Sequence, residues 1–139
     1  MDIHGLYNKD NKAAYAFLQK LESISAESDE LYRYLPDFKN MLEEDSSYLR
    51  VRGFRMICAQ AQWDQEKQID VEYLAEHIWD SKPTAIRQKL AALHSLLLYR
   101  QESMDMVRIV LEKLDLSDLK DSMRPLIQKD IEQLWEEFD

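Results

Sequence analysis

Three histidines, one cysteine and 27 carboxylates are the groups in this 139-residue chain that could ligate a metal or move a proton. Nucleophilic catalysis needs a nucleophile held against a base, and metal ligation needs donors converging from fixed spacings. Neither arrangement emerges. His4 lies near the first residue, and His77 and His94 fall in different helical patterns. His94 projects among leucines and reads as a satisfied core histidine. Cys58, inside an apolar stretch, reads as a small core residue and cannot hold a cluster alone. Glu43-Glu44 and Glu136-Glu137 offer paired carboxylates, but at helix ends, where solvation is the simpler reading. Trp79, Trp135, Phe54 and Phe138 occupy helical-period positions and read as core. No G-x-G-x-x-G, Walker-type loop, HExxH or nucleophile elbow occurs. The expectation is a protein that is not an enzyme and uses no cofactor or metal.

Arginine supplies the pattern that those groups lack. Arg50, Arg87 and Arg124 recur at a spacing of 37 residues, each directly after Leu49, Ile86 or Met123. Helix-start residues precede them: Asp45-Ser46-Ser47, Ser81-Lys82-Pro83-Thr84 and Asp121-Ser122. A further helical pattern lies before each, near 30–44, 70–80 and 103–115, and a leading one spans about 10–25. The reading is all-α: an α-α superhelix of seven helices in one domain, 1–139. It comprises the leading helix and repeats near 28–64, 65–101 and 102–139. Only two glycines and three prolines occur, too few for a turn-rich β fold.

Helical projection supports a stack. Around Arg50 the second helix of the first repeat is apolar on both sides, with Val51, Phe54 and Cys58 on one and Leu49, Met56 and Ile57 on the other. Gln62, Arg55, Ala59 and Arg52 take the far side. In the last helix one flank turns polar at Pro125, Gln128 and Glu132. In the leading helix the opposite flank does so, at Gln19, Lys20 and Ser23. Such hydrophilic end faces are what a finite repeat array requires.

Paired helices with an aliphatic-Arg dipeptide early in the second, as in Leu49-Arg50 and Ile86-Arg87, resemble HEAT repeats of the HEAT/armadillo-like class. The stretches Ser47 to Asp64, Lys82 to Gln88 and Asp121 to Ile131 are similar to a set of small bacterial HEAT-like proteins. Some of these carry a label relating them to Suf-type iron–sulfur assembly. The period of 37 is shorter than the usual ~40–47, and only the first repeat has a proline, Pro36, within its first helix. The resemblance implies a scaffold whose second helices line a concave side.

Charge then suggests a site on that side. Lys and Arg number 18 against 27 Asp and Glu, a net charge of −9, which argues against nucleic-acid binding by the whole surface. The balance is uneven. Residues 46–63 carry +3 and 83–100 carry +3, whereas 27–45 carry −5, 64–82 carry −4 and 101–121 carry −3. Arg50, Arg87 and Arg124 lie mid-arc on the buried face and should form a ladder to carbonyls or carboxylates of neighbouring helices. Arg52, Arg55, Gln62 and Lys89 project away from the core, with Leu96 and Tyr99 on the same arc, edged by Trp63 and Arg100. These make a candidate groove for an unidentified, acidic protein or peptide, or for self-association. Nucleic-acid binding is the alternative, since alkylpurine DNA glycosylases share the HEAT-like architecture, together with an accessory role in iron–sulfur assembly. The start, Met1-Asp2-Ile3-His4-Gly5, lacks signal-peptide features and no apolar run reaches a membrane span, so no membrane association and a cytoplasmic location are expected.

Overall fold

Asp10 opens the first helix, its carboxylate accepting the amides of Lys12 and Ala13 at 3.1 and 3.3 Å, which satisfies donors that no helical carbonyl can reach. The computed structural model describes residues 1–138. Seven α-helices follow: α1 Asn11–Glu27, α2 Leu35–Met41, α3 Ser47–Ala59, α4 Val71–Glu76, α5 Pro83–Leu97, α6 Met104–Glu112 and α7 Arg124–Glu136. No strand occurs among the described residues. Prolines stand in the first turns of α2, α5 and α7, where a missing amide is harmless. The all-α expectation holds, with seven α-helices as expected. The first helices are shorter than their sequence patterns. Tyr32–Tyr34 forms a 3-10 turn before α2, and α4 stops at Glu76. No described helix is long and apolar enough to cross a membrane.

The helices gather into two compact units, Met1–Ile69 and the chain from Asp70 onward. In the first, α1 and α2 both pack on α3, and Leu18, Leu21, Phe38, Met41, Phe54 and Met56 are sealed from solvent. Gly53 is what lets α2 approach. A Cβ there would lie 2.6 Å from both the Phe38 carbonyl oxygen and Met41 Cβ. Cys58 is buried as expected, and burial pushes its thiol pKa far up. In the second unit α4 packs on α6 and α5 on α7, with Leu74, Ile78, Ile86, Leu93, Val107 and Ile127 in the core. The flanks expected to be hydrophilic are exposed: Gln19, Lys20 and Ser23 on α1, and Pro125, Gln128 and Glu132 on α7.

A polar knot closes the first unit. Tyr32 Oη donates to Asp64 Oδ1 at 2.5 Å, and the same carboxylate accepts the amides of Gln68 and Ile69 at 2.8 and 2.9 Å. The link before α2 is thereby tied to the turn after α3. Burial, then the bond to Asp64, pushes the Tyr32 phenol up to about 12. Folding therefore favours the neutral phenol. This contribution is whole below the ordinary tyrosine pKa of about 10 and drains away as pH rises through the folded value.

Two outcomes follow from this packing. Gly53→Ala should lower stability by about 1–3 kcal/mol despite alanine's better helix propensity, because a backbone oxygen cannot swing aside; a urea melt followed by circular dichroism checks it. In an alkaline titration at the phenolate absorbance, a late phase near pH 12 should appear and vanish in Tyr32→Phe.

Candidate functional site

Every cation of the expected groove is already bonded within its own unit. Arg52 is 5% exposed; it donates to the Leu6 carbonyl at 2.8 Å and to Asn11 Oδ1 at 3.1 Å, and burial draws its pKa down. Arg55 makes a two-pronged pair with Glu22, 2.7 and 3.1 Å, with its guanidinium 5.4 Å from the Tyr15 ring centre. Gln62 donates to the carbonyls of Ser25 and Ala26 at 3.0 and 3.3 Å, beside the Trp63 indole donating to Ser25 at 2.7 Å. These side chains were expected to face open solvent. The segment before α1, and α1 itself, cover that side of α3 instead, and a projection of α3 alone cannot show it.

The same correction applies in the second unit. Lys89 is 1% exposed, donating to the His77 carbonyl at 2.8 Å and to buried Asp80 at 3.3 Å. Leu96, expected to anchor a partner, is fully buried; seven residues on, it shares the covered face of α5 with Lys89. Tyr99 is 56% exposed, but it lies past the end of α5, where helical projection no longer holds. Arg100 pairs with Glu102 at 2.8 Å. The basic stripe is not an open surface.

The arginine ladder expected on the buried face between neighbouring helices does not form as such: Arg50 and Arg124 are half-buried, and only Arg87 reaches another helix. Arg50 donates to the carbonyls of Glu44 and Asp45 at 2.8 and 2.7 Å, and Arg124 to that of Leu119 at 2.9 Å and to the Asp121 carboxylate. Both thus grip the loop entering their own helix. Arg87 instead spans to α7, its Nε 2.7 Å from Asp130 Oδ2, and its side chain is 42% exposed rather than buried. His94 is not a core residue either. Its Nε2 lies 2.8 Å from Glu137 Oε2 and its ring packs on Phe138. A cleft between α5 and α7 is lined by these two pairs, so its polar groups are bonded to one another. Among the described residues no three His, Cys, Asp or Glu side chains group as a metal set.

Exposed apolar groups collect elsewhere, in a groove of about 660 Å³ between α4 and α6 of the second unit. Trp79, expected in the core, is 44% exposed and Ile109 is 53% exposed; Met106, Val110 and Leu114 are half-buried beside them. Glu72 and Glu76 of α4, and Asp115 and Asp118 after α6, share the lining with Lys113. Asp115 accepts the Ser117 amide at 2.9 Å and the bonds from Ser117 hold its pKa below the usual carboxylate range. Trp79 reaches this surface because α4 ends three residues before it. Ile109 was detectable in the sequence: it sits about 200° around the helix from Val107, off the buried stripe.

No protein-family model matches the chain, nor does any curated protein or any solved structure. The likeness to HEAT repeats therefore rests on the residue pattern.

Lys89→Met should cost about 3–5 kcal/mol, since it strands Asp80 and the His77 carbonyl without their ammonium partner. Chemical denaturation checks this, and a loss below about 1 kcal/mol would show the pair to be dispensable.

Proposed function

We propose that this chain is a non-catalytic, HEAT-like protein-binding module that seats a segment of a partner protein in the α4–α6 groove. The exposure of Trp79 and Ile109 in the lining of one groove carries the reading. Isolated exposed apolar residues are commonplace, but a clustered set in a groove with a polar rim is the usual form of an interaction site. Trp is also among the residues that dominate binding energy. The packing of α4 on α6 and α5 on α7, first helix on first and second on second, supports the repeat reading within that unit. The acidic lining disfavours phosphate-driven binding of nucleic acid. A buried Cys58, whose thiol pKa burial pushes up, gives no support to cluster ligation, which leaves any role in iron–sulfur assembly to binding alone.

The test pairs capture with cross-linking. A photo-reactive residue placed at Met106 should join covalently to a partner polypeptide, and Trp79→Glu with Ile109→Glu should abolish both that product and retention on a column, with the thermal melt unchanged. Equal retention by wild type and the double variant would overturn the reading.

A further inference from the structure

We infer that the segment accepted by the α4–α6 groove is a basic amphipathic helix; this rests on the reading of the groove as a protein-binding site. The lining sets four carboxylates, Glu72, Glu76, Asp115 and Asp118, against the single ammonium of Lys113. The cations once expected to recruit an acidic partner, Arg52, Arg55 and Lys89, face inward to carbonyls and carboxylates. The apolar groove is therefore also negative. Lys or Arg on the flanks of an incoming helix would meet the rim, while its apolar stripe meets Trp79, Met106 and Ile109.

Size fits the same occupant. The nine residues of α6 give the groove a wall of ~13 Å, the length of two to three turns of helix. A stripe at i, i+3 or i+4, and i+7 offers three anchors over that distance. A second copy of this chain fits less well, because the cations Arg52, Arg55 and Lys89 that could meet the negative rim are bonded inward.

The probe is a synthetic, fluorescently labelled 12-residue peptide with leucines at i, i+3 and i+7 and lysines elsewhere, titrated by anisotropy into the full chain. Three companions replace every lysine by glutamine, replace every lysine by glutamate, or scramble the leucine spacing. The lysine peptide should bind at least about tenfold tighter than each companion, and its advantage should shrink when salt is raised from about 50 to about 300 mM. Glu76→Lys with Asp118→Lys should remove about tenfold of that affinity and leave the glutamine peptide within about twofold. If the glutamine peptide binds as well as the lysine peptide, and Trp79→Glu weakens both, the groove stands and the basic partner falls. If the scrambled lysine peptide matches the ordered one, attraction is diffuse and the inference also falls. Sedimentation showing a dimer that Ile109→Glu dissolves would assign the groove to a second copy and overturn it. Binding indifferent to Trp79→Glu would remove the groove itself.

Discussion

A cation taken out of water must find nearly all its hydrogen bonds in protein, and this requirement organises both units. Two such groups sit on α3 and α5, and two half-buried arginines, on α3 and α7, bond in a similar way. Arg52 and Lys89 are buried and reach the carbonyls of Leu6 and His77; Arg50 and Arg124 reach those of the loops before their own helices. Leaving the Arg52 guanidinium or the Lys89 ammonium unsatisfied would cost several kcal/mol, so each fixes where a connecting segment must run.

That inward commitment determines the character of the outside. The segments holding α3 and α5 are the net positive ones, and the structure turns Arg50, Arg52 and Lys89 toward backbone oxygen. Glu72 and Glu76 of α4, with Asp115 and Asp118 after α6, line the groove of the second unit. Net charge and surface character thus have one origin, and local potential, rather than the total, decides which partner is steered in.

Helix number and order were legible because a 37-residue period carries its own internal check. Three arginines, three start signals and two hydrophilic end faces agreed independently. The site was not legible, for two physical reasons. Helical projection describes a residue only while the helix continues, and Gln62, Trp79 and Tyr99 all lie beyond helix ends. Projection is also blind to what arrives from elsewhere in the chain. Residues before and within α1 cover Arg52 and Arg55, and the link after α4 covers Lys89. Ile109 was the exception, an apolar side chain on the wrong side of a strongly amphipathic helix, and it could have been noticed from spacing alone.

Arg50 and Arg124 read the path of the backbone as well as side chains. Every amino acid owns a carbonyl, so the stretches around Glu44-Asp45 and Leu119 could drift widely in composition over evolutionary time while still meeting the guanidinium. Related chains would then be expected to share the arginine and the loop length ahead of it, and to differ freely in the letters between.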